Sequence, residues 1–277
     1  NSVTRLEKDA SGGIWAGTLD GVCYRDADRK WHRWESDSSR PMGQVNGMGI
    51  SSRGDVWVAA RDGLFHYENE SWEKWPLEPI SEGLIGGGVF DVEIDSQERL
   101  WVLTTSGVSS LSNGQWGERF DLRNLMAGFP REICMGPREK VFWFGTSASG
   151  VCRFDGDLGE KHFEQISVDQ GLADTGVTCL LVDSGQRLWV GTKNGLSQIE
   201  GDFLVSLDMR DGLPGSRVTD LDELDGGAIL VTMDSGAVIY TPQNEAPKIA
   251  VEVLGSGASG GGSMIPSVSS DNQVEIG

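Results

Sequence analysis

The chain has 277 residues, of which 38% are hydrophobic, and a formal net charge of −19 with a pI near 4.5. That length and core content suit one large all-β domain. The charge argues against nucleic acid, whose phosphates need a basic surface, and against resting on an anionic membrane surface. It reads as a solvated acidic exterior. No run of 18 apolar residues marks a transmembrane helix. No secretory leader is legible, and Asn1 in place of Met reads as a trimmed or cut N-terminus.

In chain order, one hairpin phrase recurs: "GGIWAGTLDGVCYRD" (12–26), "GDVWVAARDGLFHYE" (54–68), "ERLWVLTTSGVSSLS" (98–112) and "RLWVGTKNGLSQIEG" (187–201). Its anchors are Trp15, Trp57, Trp101, Trp143 and Trp189, with Leu230 in the sixth place, at gaps of 42, 44, 42, 46 and 41 residues. A glycine follows six residues later at Gly21, Gly63, Gly107, Gly195 and Gly236, and seven later at Gly150. A period of 40–45 residues written only in short alternating runs, punctuated by Gly, Asp and Asn, predicts propeller blades. Helical repeats of that length would carry ten-residue amphipathic runs.

The fifth unit shows the expected blade most clearly. "VTCLLVD" (177–183) is the inner strand A, "RLWVGT" strand B, "LSQIE" strand C and "FLVSLD" strand D. Six blades are expected, over 2–40, 45–80, 88–125, 131–170, 176–212 and 217–245. One sheet cannot bury both its faces alone, so the strand-B Trp is expected to wedge between neighbouring blades. The glycine before strand C is expected at positive φ. The sixth unit lacks a strand D before 245. Either "PKIAVEVL" (247–254) supplies it or the chain is a piece of a longer array. The fold expectation is therefore all-β: a β-propeller of about six visible four-stranded blades over 1–245, alone or within a longer seven-bladed or double propeller. A linker and truncated β segment follow over 246–277. "GSGASGGGS" (255–263) is flexible by composition.

The pattern V-x-x-L-x-x-D-x-x-G-x-L-W-x-G-T-x-x-G-L, seen in "VTCLLVDSGQRLWVGTKNGL" (177–196), with "DGLPGSRV" (211–218) between units, resembles the two-component regulator propeller repeat. WD40 signatures are absent. The tail is similar to the opening of a three-Y, Ig-like domain. The resemblance implies a periplasmic sensor module of a membrane-bound two-component protein, with the kinase or other output outside this chain. It also implies an oligosaccharide or similar polar ligand.

In a four-stranded blade the DA and BC loops share one end, the default ligand site of closed β architectures. The BC loops supply Asp20, Arg61, Asp62, Lys193, Asn194 and Asp234. The DA loops supply Arg123, Arg131, Arg210, Asp211 and Arg217. Expected ligand contacts are Arg61, Asp62, Arg131, Lys193, Asn194, Arg210, Asp211, Arg217 and Asp234, because Arg binds carboxylate or sulfate bidentately and the others bond hydroxyls. The competing reading is turn chemistry, since Asp and Asn favour tight turns.

Catalysis is not expected. His32, His66 and His162 fall on outer strands, no nucleophile constellation is present, and Asp222, Glu223 and Asp225 are read as a turn. No metal motif or cofactor site is present. Cys23, Cys134, Cys152 and Cys179 form no CxxC and settle neither disulfides nor compartment. The D-strand aromatics of "KWHRW" (30–34) and "SWEKW" (71–75) are expected on the outer rim, where they cover the blade flanks or, on the competing reading, serve a partner or dimer contact. Two rival readings are a dimerisation scaffold using Trp31, Trp34, Trp72 and Trp75, and a propeller lyase.

Overall fold

The computed structural model describes residues 2–33, 43–77, 88–122, 128–136, 140–157 and 163–241, and the backbone of 251–254, 267–268 and 274–275. Six four-stranded antiparallel sheets are present, as the repeat predicts. The first comprises β1 (Val3–Lys8), β2 (Ile14–Thr18), β3 (Gly21–Arg25) and β4 (Trp31–Arg33). The second comprises β5 (Val45–Ile50), β6 (Val56–Ala60), β7 (Gly63–Glu68) and β8 (Ser71–Trp75). The third comprises β9 (Val89–Ile94), β10 (Leu100–Thr104), β11 (Gly107–Ser112) and β12 (Gln115–Asp121). The fourth comprises β13 (Pro130–Met135), β14 (Val141–Thr146), β15 (Val151–Asp155) and β16 (Phe163–Ile166). The fifth comprises β17 (Val177–Val182), β18 (Leu188–Thr192), β19 (Gly195–Glu200) and β20 (Phe203–Leu207). The sixth comprises β21 (Val218–Glu223), β22 (Ile229–Met233), β23 (Gly236–Tyr240) and β24 (Val251–Leu254). In each sheet spatial order follows chain order.

β24 resolves one expectation. It pairs with β23, Ala237 opposite Leu254, and so completes the sixth sheet from residues beyond 245. A last pair, β25 (Ser267–Val268) and β26 (Val274–Glu275), follows. The resemblance to a three-Y domain falls mostly outside the described residues. The chain divides into two compact units, residues 1–135 and 136–277.

The repeated letters have repeated jobs. At the AB turn, one Asp oxygen caps backbone N–H groups and the other gathers two side chains. Asp95 accepts from Arg99 Nε at 2.6 Å and Trp101 Nε1 at 2.9 Å. Asp183 accepts from Arg187 Nε at 2.7 Å and Trp189 Nε1 at 2.8 Å. The D-x-x-x-R-x-W spacing thus satisfies a buried indole N–H while stapling the turn. At the BC turn, the Thr hydroxyl donates to the glycine carbonyl three or four residues on: Thr18 to Gly21, Thr104 to Gly107, Thr146 to Gly150 and Thr192 to Gly195, at 2.7–3.1 Å. Those glycines sit at positive φ, as expected, and at Gly107 a Cβ would lie 2.0 Å from the Phe120 carbonyl oxygen.

The wedge role of the strand-B Trp also holds. Trp15 packs in one cluster with Met48, Phe65 and Trp72 of the second sheet. Trp57 packs against the cluster holding Val89, Val92 and Leu100 of the third. Trp189 packs with Ile229, Val231 and Tyr240 of the sixth. Truncating such a core Trp to Ala costs about 3–5 kcal/mol.

Candidate functional site

The BC and DA loops meet within each unit, because the BC glycines Gly21, Gly150 and Gly195 hydrogen-bond into the loop before the next sheet. Gly21 N–H donates to the Gly43 carbonyl in the first unit. In the second, Gly150 donates to Thr175 and Gly195 to Ser216. This bonding places charged loop residues side by side.

In the second unit, Lys193 N–H donates to the Gly176 carbonyl, and the Lys193 ammonium reaches the Ser147 carbonyl at 3.4 Å, so it leans across two neighbouring loops. Asp234 N–H donates to the Arg217 carbonyl. A Cβ on Gly215 would lie 2.3 Å from Asp234 Oδ1, so the glycine makes room for that carboxylate. Lys193, Asn194, Arg217 and Asp234 are all exposed there. In the first unit, Arg61 N–H donates to the Gln44 carbonyl, and Arg61 and Asp62 flank Gly43. Arg131 is exposed at the start of β13.

Two of the expected contacts also build a local turn. Met209–Asp211 forms a 3-10 turn capped by Asp208, whose carboxylate accepts the Arg210 N–H, while the Asp211 carboxylate accepts the Asp208 N–H. The Arg210 guanidinium folds back on Asp208, with Nη2 to Oδ2 at 2.5 Å, and these bonds hold the Asp208 carboxyl below its ordinary pKa. The DA-loop residue Arg123 lies outside the described residues, as do His162 and Trp34.

The histidines are engaged in packing. His32 Nε2 pairs with Asp26 Oδ2 at 2.6 Å. His66 stacks on Trp57 at 4.0 Å between ring centroids and meets Trp75 edge-on. Its Nε2 is buried without a hydrogen bond, and burial lowers its pKa. Trp72 is buried between sheets, as the flank-covering reading expects. Asp222 and Glu223 lie on β21 rather than in a turn, and Glu223 ties to Ser184 N and Oγ.

One constellation was not found by sequence reasoning. The third residues of the first strands are Arg5, Gly47, Asp91 and Glu132 in the first unit. Register shifts beside Arg5, Gly47 and Asp91 mark β-bulges, which re-aim side chains. Arg5 pairs with Glu132 at 3.4 Å. Asp91 is buried and accepts N–H bonds from Val92 and Ile133. Glu93, two residues on, has its carboxyl pushed up to about 8, chiefly by burial and then by Asp91, Glu7 and Glu132. Burial also pushes Asp91 up to about 6 against the pull of Arg5. Charged letters in inner-strand runs such as "VFDVEI" were the available signal. Among the described residues no group of His, Cys, Asp and Glu has metal-binding geometry.

Known proteins fit this picture. Residues 171–194 match the family model for the two component regulator propeller. Over 81 residues, 28% of the chain, it is 28% identical to histidine kinase P4 of Formosa agariphila, of which it spans 6%. The extracellular domain of the one component system BT4673 of B. thetaiotaomicron superposes with a TM-score of 0.72 at 16% identity, over 90% of this chain and 35% of that one. That of the hybrid two component system BT3049 gives 0.57 at 16% identity, over 91% and 40%. Virginiamycin B lyase of Staphylococcus aureus gives 0.71 at 13% identity, over 95% and 86%. The chain thus spans a small part of the curated relative and about a third of the first sensor domain.

Proposed function

We propose that this chain is the extracytoplasmic ligand-sensing propeller of a two-component signalling protein, with its kinase or other output elsewhere in the polypeptide. The observation that carries the reading is the regulator-propeller repeat at 171–194, set in a propeller fold shared with extracellular domains of such systems. The ligand class is a polar, hydroxyl-rich molecule such as an acidic oligosaccharide. Lys193, Asn194, Arg217 and Asp234 supply cation, amide and carboxylate at one loop cluster. Bidentate Arg contacts recognise carboxylate or sulfate. Arg61, Asp62 and Arg131 offer the same chemistry in the first unit. Arg210 and Asp211 contribute mainly through the turn they build.

A thermal-shift screen against neutral and acidic oligosaccharides tests this. A ligand at about 100 times its Kd stabilises by about 2.7 kcal/mol. A saturable shift lost in Arg217→Ala and Lys193→Ala, with the unliganded melt unchanged, supports the site. No shift with any sugar, in a chain that melts cooperatively, overturns the carbohydrate assignment.

The lyase reading draws on the superposition over 95% of the chain. Likeness at 13% identity carries fold alone, and His32 and His66 are held in pairing and stacking contacts. Incubation with quinupristin, the ligand in one lyase structure, followed by chromatography, is expected to leave it intact.

A further inference from the structure

The chain contains three Asn-Gly pairs: Asn46–Gly47, Asn113–Gly114 and Asn194–Gly195. In such a pair no side chain shields the glycine nitrogen from the carboxamide of the preceding Asn, so the two can close into a five-membered imide. The fold decides whether they do. The Gly N–H must be free, and the Asn side chain must be able to turn onto it, which takes a segment that opens easily.

Two of the pairs are held. Asn46 is half-buried in β5, and its Nδ2 donates to the Val89 carbonyl at 2.8 Å. Gly47 pairs with Ala59 in the ladder and packs against Asp91. Asn194 is exposed at its BC turn, but the Gly195 N–H donates to the Ser216 carbonyl at 2.8 Å. Gly195 itself is buried at the head of β19, where a Cβ would lie 2.4 Å from the Leu207 carbonyl oxygen, so this backbone has no room to swing.

Asn113–Gly114 differs on every count. It is the two-residue tip of the hairpin that joins β11 to β12, closed by the pair Ser112–Gln115. φ is +50° at Asn113 and +76° at Gly114, the left-handed succession that such tips use. Both residues are exposed, and among the described residues no hydrogen bond holds the Asn113 side chain or the Gly114 N–H. A Cβ on Gly114 would meet only the Trp75 ring, at 3.9 Å. The tip between β7 and β8 repeats this backbone, with φ +50° at Asn69 and +62° at Glu70. There the second residue carries a side chain beside the nitrogen that Gly114 leaves bare.

We infer that Asn113 is a site of spontaneous deamidation, and that the same fold protects the Asn194 amide of the loop cluster. The Gly114 nitrogen attacks Asn113 Cγ. The new N–Cγ bond forms as the Cγ–Nδ2 bond breaks, and ammonia leaves with the proton of the Gly114 N–H. Water then opens the imide at either carbonyl. One opening gives Asp on the normal backbone, and the other gives isoaspartate, with the chain routed through the side-chain carbonyl. Either product adds one negative charge to a chain of net charge −19.

The test is peptide mapping by mass spectrometry of the 277-residue chain aged at mildly alkaline pH, beside the same chain aged in urea. In the folded chain, amide-to-acid conversion is expected at Asn113, split between Asp and isoaspartate, about ten times faster or more than at Asn46, Asn69 or Asn194. In urea, Asn46, Asn113 and Asn194 are expected to convert at similar rates, with Asn69 still slow. Asn113→Gln, which would need a six-membered ring, is expected to abolish conversion at that position and leave the melt of the fresh protein unchanged. Three outcomes overturn the inference. Folded Asn194 or Asn46 converting as fast as Asn113 shows that the hydrogen bonds protect nothing. Folded Asn113 staying intact while the urea sample converts shows that the hairpin tip is closed to the reaction. The same preference for Asn113 in urea assigns the selectivity to sequence rather than to the fold.

Discussion

Asp91 and Asp220 hold the same place in two sheets, one in each unit. Each is the third residue of its inner strand, beside a β-bulge, and each uses Oδ1 to accept the N–H of the next residue, at 2.9 and 3.0 Å. Locally they are alike. Yet Asp91 is 5% exposed and Asp220 lies open. The neighbours make the difference. Before Asp91 stands Gly47, whose absent side chain leaves the space that Asp91 fills, and after it β13 offers Ile133 N–H to Oδ2 at 3.0 Å. Before Asp220 the equivalent residue is Cys179. In a repeat protein one letter acquires its environment from adjacent blades rather than from its own strand.

The largest expected effect breaks the enclosed side. In Gly47→Ala the new Cβ would fall 1.8 Å from Asp91 Oδ1 and 2.8 Å from its Cα. Two backbone N–H bonds hold that carboxylate, so it cannot swing aside cheaply. The substitution is expected to cost about 3 kcal/mol or more, roughly 6–12 °C in Tm by thermal unfolding. Gly12→Ala is the control. It meets nothing within 4 Å and carries only the strain of φ +86°, about 1 kcal/mol.

A smaller effect separates the two aspartates. Asp91→Ala strands the Ile133 N–H in a buried place and is expected to cost about 1–3 kcal/mol in denaturant unfolding. Asp220→Ala is expected to stay within about 0.5 kcal/mol, as surface substitutions do. Equal costs would show that the local bond, not the neighbouring sheets, sets the energy.

This contrast marks how far the letters could be read. The period, the Trp wedges and the BC glycines were legible, because each follows from spacing, alternation or turn chemistry, whereas the strand-D role of 251–254 was legible only as one of two alternatives. The loop expectation was legible as residue type but not as fate. Nothing in "MRDG" shows that Arg210 folds onto Asp208. The convergence of Arg5, Asp91, Glu93 and Glu132 was not legible, because bulges re-aim those residues and a glycine 44 positions before Asp91 makes the room. Long-range enclosure leaves no mark on a single strand.

The gentlest prediction follows from that enclosure. Glu93 has a carboxyl pushed up to about 8 from an ordinary 4.5, with Asp91, Glu7 and Glu132 adding to burial. Asp91 moves the same way, to about 6, although Arg5 opposes it. The folded chain therefore holds a proton that the unfolded chain has released. The stability from this proton is fully present below about pH 4.5 and is lost as pH rises through 8. His66 acts oppositely: its lowered pKa makes the fold gain stability as pH rises through the ordinary His range. A parent melting curve mixes the two, whereas a comparison with Glu93→Gln isolates one. The variant is expected to match the parent near pH 5 and to exceed it by a few degrees near pH 8.5, where the parent must hold a charge among carboxylates. An offset that does not change with pH would mean that Glu93 is solvated like Asp220, and the enclosed cluster of the first unit would lose its distinction from the open strand of the second.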